Sequence, residues 1–386
     1  MARIIDAPNK KAGSLDYVGA WFIKAGAYIN NGGTDPAHIA FVSTNSITQG
    51  EMVAQLWPIL FQRYHLEISF AHRTFEWGSD AKGKAHVHCV IIGLSHEVNA
   101  PDEKRLFAYE SVKGEPEETQ HKWLSPYLFD ASGLKDRQLV VREALKPING
   151  APLTRMGTKP VVGQHYLFNS EQKSEFLSLE PKASKFMRPF LGSREYLNGK
   201  QRFILHLSDV SPTEIKSLPY VQERISRVRK LRSESSKKAT QKLANYPTQY
   251  EVTTVPKSDF LVLPEVSSER REYIPFGWLS PPCIPSNKLT ITMEASTWLF
   301  ALINSKVHMS WVEYIGGRLK SDYSYSTGII FNTFPWPVLD DKAKATLTKT
   351  GQAILDARAA WPEATLADLY DPDAMPANLR LSLIHI

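Results

Sequence analysis

Two periodicities alternate along the first hundred residues, and that alternation limits what the chain can fold into more than any other feature. Residues 17–29 (YVGAWFIKAGAYI) repeat apolar side chains at helical spacing and end on the stop signal Asn30-Asn31-Gly32-Gly33. Residues 39–42 read as a buried strand running into the polar loop Ser43-Thr44-Asn45-Ser46. Residues 51–64 predict a second helix, and 66–71 and 87–94 predict two further strands. Strands spaced by helices predict an α/β unit with a largely parallel sheet. About three strands are visible, where a doubly wound domain has about six.

The texture changes after Ser95. Residues 99–120 are polar and charged and read as a linker or exposed loop. From 123 to 207, short apolar pieces separated by Pro and Gly predict an irregular α+β domain. Residues 212–243 form a basic helical region, and 257–280 return to strand-like pieces such as FLVLP (260–264) and REYIPFGWL (271–279). A helix is predicted over 298–316, ended by Gly316-Gly317. An amphipathic helix over 340–360 precedes an acidic, Pro-bearing segment. The last six residues, LSLIHI, match the translation of a sequencing-library transposon adapter read through in frame. They read as a non-native tail on a chain that continues.

Composition excludes several classes. With 42% apolar and 22% charged residues, the chain has the balance of a soluble globular protein. No run of about 18 apolar residues predicts a membrane span, and MARIIDAPNKKAGS lacks the apolar core of a signal peptide. The two cysteines, Cys89 and Cys283, cannot build a disulfide framework or a four-cysteine zinc site, so a reducing, cytoplasmic setting is expected. His86 and His88 share one face of a strand, but no further ligands cluster nearby, and strand histidines rather than a metal site are expected. Pro101-Asp102 and the distant Glu171-Gln172-Lys173 are spaced too widely for a nuclease site.

The net charge is +6, and residues 221–243 alone hold eight Lys/Arg against two Glu, which equals that excess. A polyanion suits such concentrated charge. Arg224, Arg227 and Lys230 recur at three-residue spacing, and Lys237 and Lys238 follow. These cations are expected to hold phosphates, which give affinity and register without sequence information. In Gly317–Pro337 (GRLKSDYSYSTGIIFNTFPWP), Lys320 and Asp322 lie two apart, so an extended segment would point both the same way. A lysine donates to guanine O6/N7 and a carboxylate accepts from cytosine N4, so the pair suits one G·C base pair. A salt-bridged exposed strand is the alternative reading of these residues alone.

Eight blocks in order carry a resemblance. They are SLDYVGAWFIKAGAYI, IAFVSTNSITQGE, FAHRTFEW, KGKAHVHCVIIG, KFMRPFLGSREYLNGKQRF, REYIPFGWLSP, SKVHMSWVEYIGGRLKSDYSYS and FNTFPWP. Together the chain resembles the methyltransferase and target-recognition regions of the type IIL (MmeI-like) restriction–modification proteins. The resemblance implies a partial Rossmann-like class I methyltransferase sheet in residues 1–98, a linker at 99–122 and an α+β target-recognition domain at 123–338. A C-terminal helical segment would fill 339–380, before the tail 381–386.

It further implies an S-adenosylmethionine-dependent adenine-N6 DNA methyltransferase, with double-stranded DNA as partner. The Gly-rich cofactor loop and the N-P-P-aromatic loop are expected upstream; no G-x-G occurs in the chain, and Ser280-Pro281-Pro282-Cys283 lacks the aromatic. A missing N-terminal half, or a separate methyltransferase subunit, is therefore the expected second partner. A non-catalytic specificity subunit and an inactive truncated product are the alternatives. Asn45, after a strand, and the aromatics Phe75 and Trp77, near a strand end, are the catalytic-side candidates for holding an extruded base. Family positions matching Lys320, Asp322 and Ser324 choose sequence; Lys288 and nearby Asn287 are further base-reading candidates, and Arg318 is expected at a phosphate.

Overall fold

The structure is a computed structural model that describes residues 15–31, 37–77 and 87–386. Its contacts divide the chain into two units. One is Met1–Ile148 with Trp311–Pro335, the other Asn149–Ser310 with Trp336–Ile386.

The first unit is built on a five-stranded sheet. Helix α1 (Gly19–Asn31) buries Ala20, Phe22, Ile23, Ala25 and Ile29, the apolar stripe that predicts it. Strand β1 (His38–Thr44) leads to helix α2 (Gly50–Pro58), which continues as one π turn, Ile59–Arg63. Strands β2 (Leu66–Trp77) and β3 (Val87–His96) follow, with Val90, Ile92 and Leu94 of β3 fully buried. The α/β class holds, with β1 and β2 running parallel on either side of an antiparallel β3. The sheet is thus mixed rather than largely parallel, because β3 enters between two strands already joined by a helical crossover. His86 lies outside the described residues, and His88 is opposite Glu76.

The segment expected as a linker at 99–122 is instead part of this sheet. Strands β4 (Lys104–Tyr109) and β5 (Pro116–His121) extend it in the order β1-β3-β2-β4-β5, with β4 parallel to β2. Polarity hid these strands because their charges are paired across the ladder. Lys104, 3% exposed, donates to Glu67 Oε2 at 2.8 Å, and Arg105 forms a fork with Glu118 at 2.7 and 2.9 Å.

The second unit holds two four-stranded sheets. One orders Leu167–Phe168, Phe203–Leu205, Met187–Leu191 and Ile284–Pro285; the other orders Gly277–Leu279, Phe260–Pro264, Leu289–Thr292 and Arg155–Met156. The helix predicted over 298–316 is two helices, Thr297–Ile303 and Lys306–Ile315. Asn304 Nδ2 donates to Phe300 O at 2.8 Å and ends the first, while Ser305 Oγ accepts from His308 N at 3.2 Å and starts the second. Asp341–Ala359 packs on Thr297–Ile303 and on Ala377–Ile384, whose Leu379 and Leu383 are fully buried.

The basic region forms three helices, Pro212–Lys216, Pro219–Ser233 and Lys238–Leu243. Pro219–Ser233 buries Val221, Ile225 and Val228, and at the next position of that stripe it buries Arg232. The Arg232 guanidinium donates to five backbone carbonyls. Nε reaches Val161 O at 2.9 Å; Nη1 reaches Leu243 O and Tyr246 O at 3.2 and 3.0 Å; Nη2 reaches Pro160 O and Gln249 O at 2.9 and 2.8 Å. All five N–H donors of the fork are thereby used.

Arg232→Lys keeps the charge but supplies three donors for five acceptors. It is expected to lower unfolding stability by on the order of 3 kcal/mol in urea titrations, because buried carbonyls are left unpaired. His308, wholly buried, has its pKa lowered to about 3 by burial. Between pH 6.5 and that value the unfolded chain binds one more proton at this site, so stability falls as pH falls through the window. The slope from this residue reaches about 1.4 kcal/mol per pH unit. His308→Phe should flatten the dependence of the urea midpoint on pH between 6 and 4; an unchanged slope would refute this assignment.

Candidate nucleic-acid interface

In the first unit, strand polarity gathers the catalytic-side candidates at one end of the sheet. Thr44 of β1 and Phe75 of β2 both face Cys89 of β3 from opposite sides, so the C-terminal ends of β1 and β2 lie together. That is the end at which open α/β sheets take ligands. Asn45 opens a 3-10 turn there; its Nδ2 points to Thr74 Oγ1 at 3.5 Å, and its carbonyl accepts from Thr48 Oγ1 at 2.9 Å. Asn45 is 8% exposed, so the loop is held rather than free.

Phe75 belongs to an aromatic group. Its ring stacks on Tyr109 at 5.6 Å and meets Trp77 at 6.1 Å; His72 stacks on Phe107 at 4.2 Å, and its Nδ1 is 2.8 Å from Tyr109 Oη. Burial, then the Arg105 charge, lowers the His72 pKa, which favours a neutral ring. Trp77, half exposed, offers the more open aromatic face. Reading 99–122 as a linker concealed Tyr109 and Phe107. The unbroken apolar run Leu106–Tyr109 within the charged stretch was the available signal.

The segment expected to be extended at Lys320 is a hairpin. Gly317–Leu319 pairs antiparallel with Asp322–Ser324, opposing Leu319 to Asp322, and Lys320-Ser321 make the two-residue turn. Lys320 takes φ 60°. The chain reverses between Lys320 and Asp322, so they do not share one face of a strand as expected. Lys320 is exposed at the turn, while Asp322 and Ser324 are half-buried on the returning strand. Arg318 lies over the Tyr323 ring at 3.8 Å, a cross-strand cation–π contact.

The contacts group this hairpin with the sheet of the first unit. Gly50 at the start of α2 has φ 60°, and a Cβ built on it would stand 3.2 Å from Gly317 Cα. Arg73 of β2 lies over Tyr314 at 4.8 Å, just before the hairpin. Both contacts seat the hairpin on the strand-end side of the chain, and neither Gly50 nor Arg73 was singled out from the sequence.

In the second unit the expected phosphate row is broken up. Three-residue spacing lags the helical turn, so the three cations spread around the helix. Arg224 departs from the row: its Nη1 donates to His165 O at 2.6 Å, and it lies over Phe168 and Phe176 at 4.3 and 4.7 Å. Desolvation lowers its pKa, as expected of a guanidinium taken into the fold. Arg227 pairs with Glu223, and Lys230 is 3.9 Å from Glu234; both pairs are exposed and weak. Lys237 and Lys238 are exposed and enter no ion pair among the described residues. Lys288, also exposed, is 3.0 Å from Glu265 Oε2.

Ser280-Pro281-Pro282-Cys283 joins two short strands of this unit, and burial pushes the Cys283 thiol up to about 11. Among the described residues no group of three or more His, Cys, Asp or Glu could hold a metal, and no helix is long and apolar enough to cross a membrane.

A mixed α/β sheet with an aromatic group at its strand ends and a basic α+β region are features of DNA methyltransferases that carry a target-recognition domain. Residues 135–338 match the target recognition domain of MmeI, 1–108 its DNA-methyltransferase domain, and 338–383 its C-terminal domain. The chain belongs to the MmeI family of type IIL restriction–modification proteins. It is 37% identical to DNA methyltransferase A of Bacillus subtilis (strain 168) over 97% of its own length and 40% of that protein's. A solved structure of the type IIL restriction–modification enzyme MmeI in complex with DNA is 39% identical, with a TM-score of 0.91, over 98% of this chain and 49% of that one. The chain thus spans less than half the length of either relative.

The hairpin seat gives an asymmetric expectation. Gly50→Ala should cost about 1–2 kcal/mol from its left-handed backbone alone and displace Gly317. Gly317→Ala, whose Cβ would stand 3.9 Å from Gly50 Cα, should stay within about 0.5 kcal/mol of the parent in urea unfolding. Equal effects would contradict the seat.

Proposed function

We propose that this chain reads duplex DNA for an adenine-N6 methyltransferase of a restriction–modification system. The observation that carries the reading is the hairpin Gly317–Ser324, which presents the exposed Lys320 at its turn on the same unit as the strand ends bearing Asn45, Phe75 and Trp77. The exposed turn of this hairpin is narrow enough to enter the DNA major groove, where base edges can be told apart. Lys320 then donates to guanine O6/N7. Asp322 and Ser324, on the returning strand, address a neighbouring position rather than the partner of the same base pair. The solved relative bound to DNA supports DNA as the partner.

Adenine, once extruded, loses its stacking, and the exposed Trp77 face beside Phe75 replaces it. Asn45, fixed by its turn, lies at the same sheet end and orients polar edges there. S-adenosylmethionine, where bound, supplies the methyl group. The chain's sequence contains no G-x-G to let backbone approach that cofactor, so its residues are given no contact to it. Exposed Lys237, Lys238 and Lys230 supply sequence-independent attraction to phosphates.

Binding selections from randomised duplexes test the reading. Lys320→Glu should change the base preferred at one position, and Asp322→Arg the base at a different one. Uniformly weaker binding with preferences intact in both variants would overturn base reading by the hairpin. Calorimetry with S-adenosylmethionine should give no heat of binding with this chain alone; tight binding would show that its strand ends hold the cofactor after all.

A further inference from the structure

Between the helices Pro219–Ser233 and Lys238–Leu243 lies an open cleft of about 690 Å³. One wall carries Ser226, Arg229, Lys230 and Ser233, a single helical face at i, i+3, i+4 and i+7. The other carries Gln241 and Asn245. Among the described residues no carboxylate lines the cleft. Lys230 Nζ lies 3.9 Å from Glu234 Oε1 in an exposed pair. Arg229 is exposed and enters no ion pair among the described residues.

The fold builds this cleft by way of Arg232. Its Nη1 donates to the carbonyls of Leu243 and Tyr246, which pins the end of the second helix to the first. Gln241 Nε2 donates to Ser235 O at 2.7 Å and holds the turn between the helices. The two walls are therefore set before any ligand arrives. A lining that offers a guanidinium, an ammonium and side-chain amides matches a tetrahedral anion with several acceptor oxygens.

We propose that this cleft is a seat for one DNA backbone phosphodiester, with Arg229 as its principal contact and Arg232 as the positioning residue behind it. The proposal rests on the DNA-reading function above. It replaces the row through Arg224 with the face through Arg229, and it makes the site sequence-independent.

Fluorescence anisotropy of the full chain with duplex DNA, across a salt series, tests it. Arg229→Ala should bind about tenfold more weakly on preferred and scrambled duplexes alike. The slope of log affinity against log salt should become shallower by about 0.9. Asn245→Ala should weaken binding in the same sequence-independent way. A scan of single neutral methylphosphonate linkages should then find one backbone position at which the parent and Arg229→Ala bind equally. Parent affinity and slope retained in Arg229→Ala, or no such position, would overturn the cleft while leaving hairpin reading intact. A parent chain that binds no duplex would overturn the DNA-reading function itself. Saturable competition by inorganic phosphate at matched ionic strength, with no methylphosphonate position found, would make the site one for free phosphate and refute the proposal.

Discussion

A buried guanidinium held by backbone carbonyls organises the second unit. Arg232 sits where the apolar stripe of its helix calls for another hydrophobic residue, and five carbonyls from two stretches of chain, 160–161 and 243–249, take its place in a buried ion's solvation. Such a group is stable in the interior only while every donor is used, because an unmatched buried polar group costs more than a matched one returns. The irregular run after Leu243 therefore has little freedom. Its carbonyls must point inward, which sets the second helix against the first and leaves the polar cleft beside them.

The first unit depends on a different constraint, the polarity of its strands. With β3 antiparallel between β1 and β2, the two outer strands end on the same side, and Asn45 and Phe75 come together though thirty residues apart in sequence. The β4–β5 pair then adds Phe107 and Tyr109 to the aromatic group. Gly50 permits the hairpin to come within contact of the same unit, so base-reading and base-holding candidates belong to one compact unit.

Helix α1, β1, α2, β2 and β3 were each legible as local periodicities, since apolar spacing follows directly from burial of one face. Charge misled the reading twice. In β4 and β5, paired charges looked like solvated linker; in Pro219–Ser233, Arg224 looked like a phosphate contact and is part of the fold. Composition cannot separate a paired charge from a hydrated one, because the partner is remote in sequence or is a backbone carbonyl.

By itself, then, the sequence determined the α/β class of the first hundred residues, the family through its ordered blocks, and the concentration of positive charge between Val221 and Leu243. Tertiary structure alone decided which of those charges face solvent, that Lys320 sits in a turn with Asp322 on the returning strand instead of sharing a strand face with it, and that Arg229 rather than Arg224 lines an open cleft. Periodicity records which face of an element is buried, whereas the direction of a turn and the partner of a charge depend on chain segments that meet only after folding.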